Sequence, residues 1–266
     1  MHTETSAMKK LLLVGAAMCS LSIAGSAFAA DMPIGVTKAP LLPPLFSWTG
    51  CYLGGHVGGG WASKNATDPV QLVQDSLSGA PVTTGVTTVS VSPTGIVVGG
   101  QFGCDYQFAP SWVAGIEFAA SGSTMKASTS VALPLGDPGE AALFTAKTDF
   151  LGSGTVRLGY AADRWLFYLK GGAAWAGDKY DVTGTFTGIP FGFEGLDQRL
   201  GWIVGGGVDW AFAGHWSLTL EYDYYQFGHR SVLMSDPVNA VSGPVDFKQS
   251  VQTAKVGVNF HMWNGQ

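Results

Sequence analysis

Two acidic residues stand close together in the stretch WSLTLEYDYYQFG, residues 216–228. Glu221 and Asp223 are of the type with which hydrolases move protons, one carboxyl acting as acid and the other as base. The stretch also alternates, because apolar and aromatic residues occupy the even positions from 218 to 224 while both carboxylates occupy odd positions. Successive side chains of a β-strand point to opposite faces, so the pattern predicts a strand with both carboxylates on one face. The residues that meet them there decide between catalysis and ion pairing.

The composition is typical of a membrane protein. Charged residues make up 12% of the 266 residues, about half of the ~25% usual in soluble domains. Glycine contributes 38 residues, aromatic residues make up 12%, and the mean hydropathy is +0.21. The net charge of −5 indicates no basic patch, so we expect no nucleic acid partner.

Residues 1–30 have the pattern of a secretory signal peptide. A basic stretch at residues 8–10 precedes an apolar stretch at 11–23, and residues 27–29 read AFA, which fits an A-x-A cleavage site. Residues 31–48 are rich in proline and predict an extended periplasmic linker that could touch peptidoglycan. Beyond the signal peptide no apolar run approaches the ~20 residues that a transmembrane helix needs. An exported chain of this kind is either a secreted β protein or a transmembrane β-barrel.

Alternation with period two recurs in segments of about ten residues, the length of strand that crosses a bilayer when tilted. The connections are short after the second, fourth and sixth segments and run to roughly 20–30 polar residues after the others. Short periplasmic turns and long extracellular loops are typical of outer-membrane barrels. The sequence therefore predicts an all-β, antiparallel up-and-down transmembrane barrel over residues 49–261, followed by a C-terminal tail at 262–266. The eight predicted strands are residues 50–61, 94–108, 112–122, 149–160, 165–175, 198–210, 216–227 and 250–260.

Three of these strands begin with a tryptophan, and in each a charged residue follows five positions later. Five is odd, so the charge faces away from the tryptophan, and five tilted residues rise about 12 Å, half of the ~25 Å apolar band. We expect the tryptophans to face lipid at the membrane interface and the charges to face the lumen near mid-depth. A soluble barrel would have the opposite arrangement. The predicted interface aromatics near the short turns are Phe108, Trp112, Tyr160, Trp165, Trp210 and Trp216.

The inward residues at mid-depth carry both signs of charge. An eight-stranded barrel has an interior only wide enough for side chains, and a lone buried charge costs several kcal/mol. We therefore predict that ion pairs plug the lumen, although inward glycines leave a narrow water leak open as an alternative. The predicted network consists of Glu117, Arg157, Lys170, Glu221 and Lys255, with Asp223 and Arg199 as outer members.

Three stretches resemble the 25/31-kDa outer-membrane protein family of alphaproteobacteria: FSWTGCYLGGHVGGGW at 46–61, GGQFGCDYQFAPSWVAGIEFAASG at 99–122 and VQTAKVGVNF at 251–260. Members are porin-like, immunogenic surface barrels related to the OmpA transmembrane domain. The resemblance covers nearly all of the chain beyond the signal peptide and implies an eight-stranded barrel in the bacterial outer membrane without enzyme chemistry. It also implies outer-membrane lipids, lipopolysaccharide and the barrel-insertion machinery as partners.

Two features depart from that family. Members usually end on the aromatic residue of the last strand, and the insertion machinery recognises that terminal aromatic as a signal. Here the six residues HMWNGQ follow Phe260. The recognition signal is therefore either displaced from the end of the chain or supplied by Trp263. Cys51 and Cys104 stand where aromatics are expected, share a facing parity and lie near the periplasmic ends of neighbouring strands. In an oxidising compartment they either form a disulfide or serve as two small lipid-facing residues, and both interpretations stay open.

The expected function is that of a non-enzymatic barrel that supports envelope integrity and exposes loops at the surface. A small porin or diffusion channel is the first alternative, and an outer-membrane enzyme with a site at the loop rim is the second. The glycine clusters lack the Lys-Ser/Thr of a phosphate-binding loop, and the histidines lack metal-ligand spacing. We therefore predict neither a cofactor nor a metal.

Overall fold

A computed structural model of the chain describes residues 46–67, 69, 77–78, 88–133, 137–237 and 239–262. The predicted signal peptide, most of the predicted linker and tail residues 263–266 lie outside the described residues. No helix among the described residues is long and apolar enough to cross a membrane.

Antiparallel β-strands dominate the described chain. They are β1 (Gly50–Thr67), β2 (Thr88–Val91), β3 (Thr94–Ala109), β4 (Trp112–Ala132), β5 (Ala141–Ala162), β6 (Trp165–Phe186), β7 (Ile189–Ala213), β8 (Trp216–Asp236) and β9 (Val241–His261). β1 pairs with β3 on one side and with β9 on the other, so eight strands close into a ring. The predicted all-β, up-and-down fold of eight strands is thus confirmed. β2, which alternation did not indicate, pairs with the far end of β1.

The wall strands are much longer than alternation predicts. β7 has 25 residues, more than twice the ~10 that cross a bilayer. β6 ends at Phe186 and β7 begins at Ile189, so two residues join strands whose predicted connection was a long loop. Threonine is favoured in strands, and Thr183 and Thr185 lie in this segment, which extends the wall instead of leaving it.

The two faces of the wall exchange polarity along the strands. In the part of β6 nearer the short turns, Leu169 points outward and Lys170 points into the lumen, whereas higher on the same strand Lys179 points outward and Tyr180 inward. The lower part therefore has the polarity of a lipid-embedded wall and the upper part that of a water-soluble barrel. This exchange marks the level at which the wall leaves the outer leaflet. The larger members of the apolar cluster inside the upper part are Phe144, Tyr180, Val182, Phe186, Phe191, Phe193, Val232, Met234, Val245 and Phe247.

Aromatic side chains surround the outer wall at two heights. The structure places six of them, exposed, beside the short turns: Phe108, Trp112, Tyr160, Trp165, Trp210 and Trp216. Trp165 stacks on Trp210 with 5.7 Å between ring centroids. Trp202, eight residues above Trp210 on β7, contacts Tyr224 of β8 with 5.9 Å between ring centroids. Eight residues of tilted strand rise about 20 Å, close to the ~25 Å apolar band of such barrels, so the two rows fit the two membrane interfaces.

Glu140 joins two of the extracellular turns. Its carboxylate accepts hydrogen bonds from the backbone N–H groups of Gly188 at 3.1 Å, Thr187 at 2.7 Å and Asp137 at 2.9 Å. The N–H of Gly188, followed by that of Thr187, holds the pKa of Glu140 below its ordinary value. A depressed carboxyl pKa means that this contact contributes at neutral pH and is lost as the pH falls through the folded-state pKa.

Leu220→Arg tests the position of the polarity exchange, with Leu233→Arg as a matched control on the same strand. Leu220 is 60% exposed at mid-height of the apolar wall, whereas Leu233 is 66% exposed above the exchange. Arginine facing lipid at the midplane costs about 2–4 kcal/mol. We expect Leu220→Arg to lower the free energy of unfolding by that amount and Leu233→Arg to change it by less than about 0.5 kcal/mol. Urea titration of barrels refolded in phosphatidylcholine vesicles measures both, and equal effects would contradict the assigned membrane level.

Candidate functional site: the charge network of the lumen

The two carboxylates that resemble a catalytic pair are held by lysines in the lumen. Lys170 Nζ lies 2.9 Å from Glu117 Oε1, 2.8 Å from Glu221 Oε2 and 3.5 Å from Asp223 Oδ1. Lys255 Nζ lies 2.8 Å from Glu221 Oε1 and 2.7 Å from Asp223 Oδ2. All five side chains are buried, so both oxygens of Glu221 and of Asp223 are committed to ion pairs inside the barrel.

The strand register explains why these residues meet. Glu221 on β8 is the direct cross-strand partner of Lys255 on β9. Arg157 on β5 is the direct partner of Lys170 on β6, and like charges in that position destabilise a sheet. Carboxylates from other strands offset this repulsion, and Glu117 on β4 lies within 3.5 Å of Arg157 and 2.9 Å of Lys170.

Arg157 also pairs with acidic residues outside the predicted set. Its guanidinium donates to Asp105 through Nε at 2.8 Å and through Nη2 at 2.5 Å, and Nη2 donates to Asp209 Oδ2 at 3.1 Å. Asp105 and Asp209 alternate inward in the sequence, but both lie nearer the short turns than the mid-depth level on which the prediction rests. A prediction that used every inward-facing charged residue, without requiring a position at mid-depth, would have included Asp105 and Asp209.

Two tyrosines complete the network, and the prediction missed both. Tyr52 Oη donates to Glu117 Oε2 at 2.6 Å, and Tyr168 Oη donates to Glu221 Oε2 at 2.8 Å. The guanidinium carbon of Arg157 lies 5.0 Å from the ring centroid of Tyr52 and 4.5 Å from that of Tyr168, within range of a cation–π interaction. Both tyrosines occupy inward-facing positions of the alternating pattern, and this was the one signal in the sequence that could have identified them. An aromatic residue in a lumen is not an obvious partner for a charged group.

Arg199, predicted as an outer member of the network, lies instead in a second, higher cluster. Its Nε donates to the carboxylate of Asp197 and lies 3.8 Å from Asp178 Oδ2. Asp178 Oδ1 is also 2.6 Å from Lys64 Nζ. The ladder partner of Asp223 on β7 is Gly205, six residues below Arg199, which corresponds to about 15 Å along the barrel. Alternation predicts the face of Arg199 correctly but does not report this height.

Little space remains beside the carboxylates. A cavity of about 10 Å³ lies next to Glu221, between His56, Gln101 and Lys255. That volume is roughly enough for one water molecule. The described residues contain no group of His, Cys, Asp and Glu that could hold a metal ion. Both carboxylates are therefore engaged by lysines of the barrel itself.

Cys51 and Cys104 are direct cross-strand partners near the short-turn ends of β1 and β3. The structure joins them in a disulfide between positions 53 residues apart, with their Cα atoms at 4.0 Å. The bond links β1 and β3 on the outer face of the wall, where both cysteine side chains are half-buried. The sequence placed both side chains on this face whether they were bonded or were two small lipid-facing residues.

Comparison with known proteins agrees with this geometry. The family model of the outer membrane protein beta-barrel domain matches residues 46–260. The chain belongs to this family. As an outer membrane β-barrel protein, it is located in the bacterial outer membrane.

The outer membrane barrel has relatives among named surface proteins. It is 28% identical over 268 residues to the 31 kDa outer-membrane immunogenic protein of Brucella melitensis, covering 95% of this chain and 99% of the relative. It is 25% identical over 263 residues to the 25 kDa outer-membrane immunogenic protein of Brucella abortus, covering 95% and 98%. The predicted resemblance to 25/31-kDa outer-membrane proteins is thus confirmed.

Solved outer membrane proteins are also similar to the barrel. OprG from Pseudomonas aeruginosa matches with a TM-score of 0.46 and 15% identity, over 80% of this chain and 97% of that chain. The outer membrane protease OmpT from Escherichia coli matches with a TM-score of 0.47 and 8% identity, over 83% and 99%.

Glu221→Ala tests the role of the charge network in the barrel. The substitution leaves Lys170 and Lys255 with fewer partners in a buried site, and breaking a buried pair costs about 3–5 kcal/mol. We expect the free energy of unfolding in urea to fall by that amount. Glu194→Ala is the control, since Glu194 is exposed on the outer face of β7. A loss from Glu221→Ala no larger than that from Glu194→Ala would refute a stabilising network.

Reduction tests the disulfide of Cys51 and Cys104. Closing a loop of about 50 residues in the unfolded chain stabilises the folded state by up to about 4 kcal/mol in the chain-entropy model. We expect a reductant to lower the midpoint of thermal unfolding of the wild-type barrel. The double variant Cys51→Ala/Cys104→Ala, measured with and without reductant, is expected to show no difference. A wild-type barrel that is insensitive to reductant would argue against a stabilising bond.

Proposed function

We propose that the protein is a closed, non-enzymatic barrel that supports the integrity of the outer membrane and holds its hairpins at the cell surface. The observation that carries this proposal is the filled lumen. Lys170 and Lys255 bind the carboxylates of Glu221 and Asp223, and the cavity beside them is about 10 Å³. A barrel occupied by its own paired side chains offers neither a path for solutes nor a pocket for a substrate.

Two further layers support a closed lumen. At the short-turn end, Trp48 is 1% exposed and packs edge-on against His261 with 5.8 Å between ring centroids. In the upper part, Tyr180 stacks on Phe247 with 4.1 Å between ring centroids, and Phe144 stacks on Phe247 at 6.0 Å. The charge network lies between these aromatic layers, so a solute would meet three successive obstacles.

The inward glycines favour a filled lumen over a leak. A Cβ atom added to Gly103 would lie 2.4 Å from the hydroxyl oxygen of Tyr52, and one added to Gly207 would lie 2.7 Å from that of Tyr168. These distances are too short for a real contact, so the glycines make room for two tyrosine rings of the network. The space beside these glycines, which would hold water in a leaking barrel, is filled by the aromatic rings of Tyr52 and Tyr168.

The upper hairpins are the part suited to surface exposure. Their outward residues include charged side chains such as Lys179 and Glu194, while a cluster of apolar residues fills the interior. The Brucella relatives are named outer-membrane immunogenic proteins, which supports a surface role for the corresponding hairpins here.

Planar-bilayer conductance tests the closed barrel against the small diffusion channel. We expect the refolded wild-type protein to give no stable unitary steps, with heat-modifiable gel mobility of the same preparation as the control for folding. The variant Tyr180→Ala/Phe247→Ala, which opens one of the three layers, is also expected to stay closed. Stable steps from the wild type would reverse the assignment in favour of a channel.

Hydrolysis of lipid and peptide substrates tests the remaining enzyme alternative. We expect no turnover by the folded wild-type barrel above the rate measured without protein. Turnover by both the wild type and Glu221→Ala would support an enzyme with a site at the loop rim. Turnover that is lost in a Glu221→Ala barrel shown to be folded would make the carboxylate pair catalytic instead.

A further inference from the structure

The ladder between β7 and β8 is interrupted in the upper part of the wall. Cross-strand pairing stops above Trp202 and resumes only at Glu194, so residues 195–201, all described by the structure, have no ladder partner on β8. The same residues stay paired with β6 on their other side. Arg230 of β8 bridges the interruption, with its Nε 3.3 Å from Asp197 Oδ1. A side chain therefore closes the wall at this level, in place of backbone hydrogen bonds.

A groove of about 680 Å³ lies on the outer wall beside the interruption. Trp175 and Leu200 line its apolar side. A second hollow of about 300 Å³ adjoins the groove and shares Gly177 and Gln198 with it. Gln198 is the cross-strand partner of Gly177. It lies four residues above Trp202, or about 10 Å above the upper row of aromatic side chains, so a soluble ligand can reach the groove.

Two buried polar atoms beside the groove lack a hydrogen-bond partner. Asp178 Oδ1 accepts hydrogen bonds from Lys64 and Thr148, both 2.6 Å long, whereas Oδ2 accepts none from the described residues. Arg199 donates through Nε and Nη1, but its Nη2 has no acceptor among those residues. The two side chains are at most 1% exposed. Because an unpaired buried donor or acceptor destabilises a fold, such atoms indicate a missing ligand or water.

These two atoms are close together and have opposite hydrogen-bonding character. Asp178 Oδ2 lies 3.8 Å from Arg199 Nε, which is beyond hydrogen-bonding range. Arg199 lines the groove, Asp178 lines the adjoining hollow, and the two spaces meet at Gly177. Since β7 and β8 are unpaired here, no ladder between these described strands seals the two atoms from the groove. An occupant must therefore offer an acceptor to Arg199 and a donor to Asp178.

The charges around the two atoms favour a neutral occupant. Two bases and two carboxylates are buried together there: Lys64, Arg199, Asp178 and Asp197. Arg230 at the edge is 54% exposed, so water and salt screen its charge. Either an anion or a cation would add net charge to a balanced, buried cluster, which is costly. A hydroxyl group both donates and accepts hydrogen bonds, so a neutral molecule with several hydroxyl groups meets both requirements.

We propose that this groove binds a neutral hexose, at a site formed by Trp175, Gly177, Asp178, Gln198, Arg199 and Leu200. One ring hydroxyl accepts a hydrogen bond from Arg199 Nη2, and a neighbouring hydroxyl donates to Asp178 Oδ2. The apolar face of the ring packs on Trp175 and Leu200, and Gly177 leaves room for it. A space of roughly 300–1,000 Å³, mostly apolar with a few placed polar groups, is typical of small-molecule sites. The site lies in the wall and does not depend on whether the lumen conducts.

Saturation-transfer NMR of the full barrel, in a detergent without a sugar headgroup, tests the proposal. The neutral probes are the methyl α-glycosides of glucose, galactose and mannose. Glucuronate and glucosamine, which carry opposite charges on the same ring, are the matched charged probes. We expect saturation transfer to at least one neutral glycoside and weaker transfer to both charged sugars. No transfer to any neutral glycoside would overturn the proposal, because water alone would then satisfy the two atoms. Equal transfer to neutral and charged sugars would overturn the role of the buried pair.

Gly177→Leu is the blocking variant. Gly177 points outward on β6, and a Cβ added there would lie 3.7 Å from Phe150 Cβ, an ordinary contact, so leucine fills the hollow without displacing the wall. We expect it to lose sugar binding with unchanged heat-modifiable gel mobility. Gly192→Leu on upper β7 is the control, since a Cβ there has no described neighbour within 4 Å. Binding that survives in Gly177→Leu, or is lost equally in Gly192→Leu, would overturn the assignment of the site.

Discussion

A ring of eight strands leaves an interior only wide enough for side chains, and this limit governs the rest of the structure. A charge that points inward is removed from bulk water and must find its counter-charge on another strand. Arg157 is bound by Asp105 and Asp209, and Lys170 and Lys255 are bound by Glu221. The lumen of this barrel is therefore a polar core, held together by ion pairs in the way that a soluble domain is held together by apolar contacts.

The wall meets two environments along the same strands. Where lipid surrounds the barrel, apolar side chains must point outward, and the lumen receives the polar ones. Above that level water surrounds it, so the hydrophobic effect drives apolar side chains inward, and rings such as Tyr180 and Phe247 fill the interior. A single alternating strand meets both demands because the face that carries apolar residues changes part-way along it, as Leu169 and Tyr180 on β6 demonstrate.

Much of this could be predicted from alternation. In the strands that begin at Trp112, Trp165 and Trp216, the alternation indicated membrane-spanning strands and the face on which each charged residue lies. It does so because successive side chains of a strand point to opposite faces. The ion pairs of Glu221 were foreseeable because a chain with only 14 lysines and arginines offers few inward bases. Alternation does not report height, which depends on the offset between strands around the ring.

Height accounts for the errors in the predicted site. Arg199 and Asp223 share the lumen but stand about 15 Å apart along it, and this separation follows from strand offset, which no local pattern contains. The upper hairpins resembled loops for a related reason. Most of their outward residues are polar, so the lipid-facing apolar signal that defines a membrane strand is weak there, although the alternation itself continues.

The extension of the strands above the membrane affects how other molecules meet this protein. The upper ends of β6 and β7 are joined by a two-residue turn between Phe186 and Ile189 and pair with each other up to that turn, so they form a continuous piece of wall. An antibody or phage that touches this wall contacts every second residue of one strand together with every second residue of its neighbours. Such an epitope exists in the assembled barrel, and a linear peptide cut from any single hairpin would not reproduce it.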